Sequence, residues 1–272
     1  GRAGAGVLSL TRRNPEFLRL LIAHTVSRSG DAFNTVALVV LVFELTGSAR
    51  GVAAVAMFEV LPVLLIAPIA GLAADKVSRR HLMVGADLVR AGAAAALLVA
   101  AGSLPAALAV TLVLSAAAVV FNPAASSLVA DVVDSDDLIT ANSALWSAAV
   151  VAQVMFAPLA GVVIAASDVR TAFAINSATF VVSAALLIGL RAGRAPATIA
   201  ALGWSGALGG VRVVCGHPLL RRLLIVQVLA ALSAGATSGL LVVLAQQRLG
   251  VGPGGFGLLL AAIGVGAATG PV

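Results

Sequence analysis

The stretch that decides the fold is GLAADKVSRRHLM, residues 71–83, because it gathers charged side chains into a chain that is otherwise apolar. Of the 272 residues, 61% are hydrophobic and 10% are charged. The mean hydropathy is +1.11. This composition is typical of membrane proteins and excludes an ordinary soluble domain. We therefore interpret residues 71–83 as a short polar loop between two membrane-spanning helices.

Long apolar runs on both sides of this loop predict an all-α, polytopic membrane protein. Residues 91–130 contain no charged side chain, and as one helix they would extend about 60 Å, twice the roughly 30 Å of a hydrocarbon core. This run is therefore expected to cross twice, with a turn at residues 102–105. The predicted spans are 17–45, 51–72, 81–102, 105–129, 138–166, 170–190 and 219–247, and an eighth begins near Gly254.

The predicted spans divide into a six-helix transmembrane bundle, a connector and the start of a second bundle. The bundle covers residues 1–190, the connector 191–218 and the second bundle 219–272. Leu208, Val211, Val214 and Cys215 share one helical face, which predicts a short helix on the membrane surface within the connector. Because the first residue is not Met and the eighth span reaches the last residue, we expect a fragment truncated within the eighth helix.

The distribution of basic residues predicts which side of the membrane each loop faces, since Lys and Arg are retained in the cytoplasm. Twelve fall on the side of residues 71–83, namely Arg2, Arg12, Arg13, Arg19, Lys76, Arg79, Arg80, Arg191, Arg194, Arg212, Arg221 and Arg222. Only Arg50, Arg170 and Arg248 fall on the other side. We therefore predict a multi-pass protein of a bacterial inner (plasma) membrane with a cytoplasmic N-terminus. Membrane topology explains the net charge of +6 better than nucleic-acid binding does.

Residues 71–80 resemble the loop signature of the major facilitator superfamily of secondary transporters, Gly-x-x-x-Asp-Arg/Lys-x-Gly-Arg-Arg/Lys. Gly71, Asp75, Lys76, Arg79 and Arg80 match this signature, whereas Ser78 replaces a glycine. The position between the second and third spans also agrees. The phrases SRSGDAFNTVAL, DLVRA, ANSALWS and GHPLLRRLL look most like the branch of enterobactin exporters and macrolide efflux proteins.

The resemblance implies two six-helix halves that rock about a site near the membrane midplane. It further implies a conformational switch, in which Asp75 caps a helix of the second half and Arg79 pairs with a carboxylate at the end of the fourth span. Asp131 is the nearest candidate for that carboxylate. The implied partners are a small-molecule substrate, protons and the lipid bilayer, and the full-length protein is expected to be a monomer.

Polar residues inside the first span form a stripe at three- and four-residue spacing, which places them on one helical face. The stripe consists of His24, Ser27, Arg28, Asp31, Asn34 and Thr35. We expect it to face the central cavity, because ionisable groups inside a membrane need a partner or water. Asp31 has two competing interpretations: a proton carrier, which has to become neutral, or the ionised partner of Arg28 one turn away.

Other polar residues in the spans have similar pairs of interpretations. Glu59 is an independent proton-site candidate, or a side chain that reaches the outer interface. Asp87 and Arg90 are one turn apart and are interpreted as a structural pair. Four carboxamide residues either line the cavity or join helices, namely Asn122, Gln153, Asn176 and Gln227. Residues 156–163, FAPLAGVV, resemble a degenerate form of a motif that antiporters of the superfamily carry, in which Pro158 and Gly161 match.

The function predicted from these features is proton-driven export of small amphipathic molecules of the drug or siderophore type. One alternative is the permease subunit of an ATP-driven transporter. The other is a membrane-embedded enzyme that uses His24 or Asp31 as a base. We expect no enzyme, because the sequence contains no nucleotide loop, no His-Glu-x-x-His and no paired cysteines, and we expect no cofactor or metal.

Overall fold

The computed structural model describes residues 2–76, 78–190 and 216–269, with the backbone alone for residues 2–5, 49, 64, 67–76 and a number of residues between 224 and 269. Within these ranges the chain is all-α. Its helices are α1 (Arg2–Arg13), α2 (Pro15–Thr46), α3 (Ala49–Lys76), α4 (Arg79–Ala100), α5 (Leu104–Val132), α6 (Leu138–Ala166), α7 (Val169–Ile188), α8 (Pro218–Val243) and α9 (Pro253–Thr269). A 3₁₀ turn at Ser135–Asp137 precedes α6, and a π turn at Leu244–Arg248 follows α8.

Each predicted span corresponds to one helix, in order from α2 to α9. In the described part of the chain, five segments are long and apolar enough to cross a membrane: Pro15–Thr46, Arg79–Ala100, Leu104–Val132, Ser135–Ala166 and Val169–Ile188. The crossings by α3 and α8 stay predictions. The surface helix predicted from Leu208, Val211, Val214 and Cys215 lies outside the described residues.

The structure differs from the sequence prediction at two places on one end of the bundle. Residues 2–13 form a separate amphipathic helix, α1, which the span prediction missed because it is short and carries Arg12 and Arg13. The predicted loop is also shorter, since α3 continues to Lys76 and α4 begins at Arg79. Asp75 and Lys76 are therefore helical residues at the end of α3.

Local sequence explains where the central helix α2 begins and ends. Asn14 is its N-cap, because the side-chain oxygen Oδ1 accepts a hydrogen bond from the Phe17 N–H at 3.0 Å, and Pro15 follows where no donor is needed. At the other end, Gly47 adopts a left-handed conformation with φ of 60°, and its N–H donates to Phe43 O at 2.7 Å. The 32 residues between these caps form one continuous helix.

The packing order places α2 in the middle of the bundle. It packs on α6 and α7, while α4 lies between α5 and α7 and α3 packs on α5. Of the membrane-spanning segments, α2 has the largest buried share, 67% of its apolar window. The polar stripe of α2 therefore has to find partners on neighbouring helices or in a cavity.

Helix α9 crosses α6 at a very close backbone contact. A Cβ atom on Gly257 would lie 2.5 Å from the Ala157 carbonyl oxygen and 3.0 Å from the Pro158 Cα. Only glycine fits here, because backbone atoms cannot rotate away. Residues 156–163, which the sequence singled out as a degenerate antiporter motif, thus contain the surface on which α9 packs.

We predict that Gly257→Ala destabilises the protein by about 1–3 kcal/mol, because the added methyl group overpacks the crossing of α6 and α9. Thermal unfolding of the purified protein in detergent, followed by circular dichroism, measures the loss. Gly266→Ala is the matched control on the same helix, since a Cβ atom there meets nothing within 4 Å. Equal melting temperatures for the two variants would contradict the prediction.

Candidate functional site

The polar stripe of α2 faces two different environments. His24, Arg28 and Asp31 line a cavity of about 480 Å³. Ser27 points away from this cavity toward α4 and is buried there, where its Oγ accepts a hydrogen bond from Arg90 Nη1 at 3.2 Å. Of the predicted stripe, His24, Arg28 and Asp31 thus line this cavity, and Ser27 does not.

The last two members of the stripe, Asn34 and Thr35, also lie away from this cavity. Thr35 Oγ1 donates to the backbone oxygen of Asp31 at 2.9 Å, which is a bond within the helix. Asn34 is partly buried, and its Oδ1 has no hydrogen-bond partner among the described residues. The cavity side of α2 thus ends at Asp31.

The cavity has a polar wall and a mainly apolar wall. Besides α2, the polar wall includes Asn122 and Ser126 of α5. Helix α6 contributes the opposite wall, which consists of Asn142, Leu145, Trp146, Ala149, Val150 and Gln153. Trp146 is 74% exposed, so its indole ring is available to an occupant of the cavity.

Asp31 is held by two arginines from two helices. Its Oδ1 lies 2.5 Å from Nη2 of Arg90 on α4, and its Oδ2 lies 3.3 Å from Nη1 of Arg28 on α2. Arg28 Nη2 also donates to Asn122 Oδ1 at 2.7 Å. Arg28 and Asp31 thus form the local pair that the sequence suggested, but the shorter contact of Asp31 is with Arg90.

Arg90 is the most buried cation of this group, with 3% of its surface exposed. Its Nη1 lies 3.3 Å from Oδ1 of Asp87, which is fully buried. The guanidinium carbon lies 4.0 Å from the ring centroid of Phe180, at cation–π distance. The predicted pair of Asp87 and Arg90 therefore belongs to a larger group of Arg28, Asp31, Asp87 and Arg90, which we call the ion cluster.

The ion cluster joins α2 to α4 and places charge at the cavity wall. Its two arginines and two aspartates balance, as burial in an apolar bundle requires. Asp31 and Arg28 are about a quarter exposed, whereas Asp87 and Arg90 are enclosed. Such a cluster can take up a proton or exchange ion-pair partners when the cavity fills or empties.

Glu59 and His24 are predicted site residues that remain outside the ion cluster. Glu59 is exposed on α3 and does not line the cavity, although it lies close enough to Asp31 to interact electrostatically. Its backbone oxygen accepts a hydrogen bond from the Ser115 hydroxyl. His24 stacks on Phe121 with ring centroids 6.3 Å apart, and its Nδ1 has no hydrogen-bond partner in the part of the chain that the structure describes.

The carboxamide residues have different positions. Asn122 and Gln153 line the cavity. Asn176 is fully buried on α7, close to Gly30 of α2, and does not line the cavity; its side-chain atoms have no hydrogen-bond partner among the described residues. The side chain of Gln227 lies outside the described residues.

The predicted switch residues lie at the end of the bundle where α2 and α4 begin and α5 and α7 end, which we call the basic end. The side chains of Gly71, Asp75 and Lys76 are outside the described part of the chain. Arg79 Nη1 lies 2.5 Å from Asp131 Oδ1 and 3.0 Å from the Ser127 carbonyl oxygen. Arg79 therefore ties the start of α4 to the last turn of α5.

Two further arginines of the basic end hold the end of α7. Arg80 Nη1 donates to Leu190 O at 2.6 Å, and Arg19 Nη1 donates to Gly189 O at 2.8 Å. These carbonyl groups have no partner within the helix, and the helix dipole favours cations there. The role of Arg19 was missed, because sequence spacing does not show which helix ends are neighbours.

We predict that Arg90→Met destabilises the protein by about 3–5 kcal/mol, because it leaves Asp87 and Asp31 without their shared cation. Adding Asp87→Leu to Arg90→Met should restore part of this loss, since the buried uncompensated charge is removed. Thermal unfolding in detergent measures both effects. Arg50→Met at the exposed start of α3 is the control, and equal destabilisation by Arg90→Met and Arg50→Met would contradict the assigned role.

Solved structures of transporters share this fold. The chain matches the nucleoside transporter NupG with a TM-score of 0.66 at 15% identity over 89% of this chain and 57% of that one. It matches a bacterial homologue of the human lysosomal transporter Spinster, in an inward-facing and unoccupied conformation, with a TM-score of 0.71 at 16% identity over 94% and 61%. A peptide transporter POT in complex with sulfate gives 0.56 at 16% identity over 85% and 50%.

These identities show the fold alone, and the chain spans between 50% and 61% of the length of those three transporters. No curated protein matches the chain. The family described as transmembrane secretion effector, within the major facilitator superfamily, matches residues 10–272. The all-α, polytopic fold expected from the sequence is thereby confirmed. The chain belongs to the transmembrane secretion effector family of the major facilitator superfamily.

Proposed function

We propose that the protein is a secondary active transporter that exports small amphipathic molecules by alternating access and is driven by protons. The observation that carries this proposal is the ion cluster at the wall of a cavity inside a membrane bundle. Four ionisable side chains in such a place are costly, and they mark substrate or proton pathways in transporters. The family and the fold support the class of transporter.

The substrate class follows from the two walls of the cavity. Arg28 and Asn122 offer polar groups on one side, and Leu145, Trp146 and Val150 offer apolar surface on the other. A volume of about 480 Å³ falls in the range of small-molecule sites, about 300–1,000 Å³. An amphipathic molecule of drug or siderophore size fits these properties.

The proposed topology places the basic end in the cytoplasm, because basic residues predominate there. Residues 1–190 form the first bundle, 191–218 the connector and 219–272 the start of the second bundle. Contacts of α9 with α6 and of α8 with α3 support an arrangement in which the second bundle meets the first through these helices. Rocking of the two bundles would open the cavity to either side.

The basic end is the proposed conformational switch. Arg79 holds α4 against α5 through Asp131 and the Ser127 carbonyl oxygen, which fixes the position of the α3–α4 connection. We expect Asp75, at the end of α3, to cap a helix of the second bundle in one state, as the resemblance implies. Contacts made in one state and broken in the other set the balance between the states.

For the switch, we predict that Asp75→Asn in the intact protein sharply lowers transport while membrane insertion is retained. The change alters the balance between the states but leaves hydropathy almost unchanged. Efflux from cells and the amount of protein in membranes measure the two quantities. Asp136→Asn, an exposed residue of the turn before α6, is the control. Unaltered efflux by Asp75→Asn would refute the switch.

For the ion cluster, we predict that Asp31→Asn abolishes export driven by a pH gradient. The neutral amide removes the carboxylate that balances Arg28 and Arg90, so proton uptake no longer changes the charge facing the cavity. Inverted vesicles with an imposed pH gradient measure this coupling, again with Asp136→Asn as the control. Coupling retained by Asp31→Asn would place proton transfer elsewhere, with Glu59 as the next candidate.

A further inference from the structure

We infer that Asp87 is the residue of the ion cluster that binds the proton, and that Arg90 transmits the charge state of Asp87 to Asp31 at the cavity. The inference deepens the proposed function and rests on it for its meaning in transport. It departs from the sequence interpretation, in which Asp31 or Glu59 carries the proton and Asp87 is only a structural partner of Arg90.

Asp31 has the stronger ionic compensation of the two aspartates in the cluster. Each of its two carboxylate oxygens faces a separate guanidinium group, Arg90 at 2.5 Å and Arg28 at 3.3 Å. A carboxylate between two cations loses both ion pairs when it becomes neutral. Proton binding at Asp31 would also leave two arginines facing each other without their shared anion.

The negative charge of an ionised Asp87 is compensated much less than that of Asp31. Its Oδ1 shares Arg90 Nη1 with the Ser27 hydroxyl, at 3.3 Å and 3.2 Å. Its Oδ2 is buried and forms no hydrogen bond of ordinary geometry among the described residues. An ionised carboxylate with one bare oxygen in an apolar interior is costly, and binding a proton removes that cost.

The surroundings of Asp87 contain an acceptor for such a proton. Ser183 of α7 lies beside the Asp87 carboxyl group, and its buried Oγ also has no hydrogen-bond partner of ordinary geometry in the part of the chain that the structure describes. A proton on Oδ2 would donate to this oxygen, while Oδ1 stays with Arg90. The other charged group that faces Asp87 is Asp31 from α2, and α5 presents the Phe121 ring near Arg90.

Arg90 has different ion-pair partners when Asp87 is neutral and when it is ionised. When Asp87 is neutral, its Oδ1 still accepts a hydrogen bond from Arg90, but the one ion pair left to Arg90 is with Asp31, and the cluster carries one net positive charge. When Asp87 is ionised, Arg90 is shared and the cluster is neutral. Asp31 is the carboxylate of the cluster that is exposed at the cavity, so a change of charge at Asp87 reaches the cavity wall through Arg90 and Asp31.

This arrangement links proton binding to the substrate. Proton uptake at Asp87 adds positive charge next to the cavity, so it weakens the binding of a cationic group near Asp31. By linkage, binding of that cationic group weakens proton binding at Asp87 by the same factor. Opposed binding of this kind is what exchange of a proton for a substrate requires. Arg90 is accordingly a positioning residue, because it acts through Asp31 and does not line the cavity.

Infrared difference spectroscopy of the intact purified protein in lipid nanodiscs, between acidic and alkaline pH, tests the assignment without any substrate. The signal is the carbonyl stretch of a neutral carboxylic acid, compared between wild type and each variant. We expect Asp87→Asn to remove one such band. We expect Asp31→Asn to keep this band but shift the pH at which it appears, and Glu59→Gln to keep it.

A band that survives in Asp87→Asn and disappears in Asp31→Asn or Glu59→Gln would overturn the assignment, as would survival in all three variants. Ser183→Ala keeps the test decisive if Asp87→Asn fails to fold. This variant retains Asp87, so it should shift the pH at which the band appears without removing the band. Ser177→Ala is its matched control on α7, since Ser177 Oγ donates to Ala91 O and not to Asp87. Equal titrations of the two serine variants would also count against Asp87.

The test separates the inference from the proposed function. A protein that shows the Asp87 band but exports nothing under a pH gradient would refute proton-driven export and leave the proton site in place. A protein whose export depends on the pH gradient, but whose Asp87→Asn variant keeps the band and the coupling, would refute the inference alone.

Discussion

A cation enclosed in an apolar helix bundle has to find its counter-charge within the bundle, and the guanidinium group of Arg90 is where this constraint is strongest. It lies between Asp31 of α2 and Asp87 of α4, with the Phe180 ring beside it. Because Arg90 is buried, water has little access to replace these partners, so any change of charge at one aspartate has to be answered at the other. The site therefore behaves as a unit, and the cavity wall is its exposed edge.

Arginine side chains also bind neighbouring helices at the basic end, but there most of their contacts are with backbone carbonyl groups. There Arg19, Arg79 and Arg80 donate to carbonyl oxygens at the ends of α5 and α7. These contacts lie near water and satisfy acceptors that a helix leaves open at its last turn. They hold the ends of helices, whereas the ion cluster places charged groups at the wall of the cavity.

The close crossings explain how charged groups reach one another at all. Gly30 of α2 and Gly257 of α9 bring backbones near neighbouring helices, at Asn176 of α7 and at Ala157 of α6. Gly30 directly precedes Asp31, so the close approach of α2 to α7 lies next to the ion cluster. In a bundle that rocks between two states, such crossings would be rigid contacts about which the charged groups rearrange.

The sequence by itself determined the all-α membrane fold, the order of the spans and the polar face of α2, because hydropathy and helical spacing are local properties of the chain. It also placed Asp31 and Arg28 one turn apart, as well as Asp87 and Arg90. Only the tertiary structure decided that Arg90 pairs with Asp31 across 59 residues and that Arg80 binds the end of α7. Such contacts depend on how helices are rotated and on which ends are neighbours, and no periodicity within one helix contains that information.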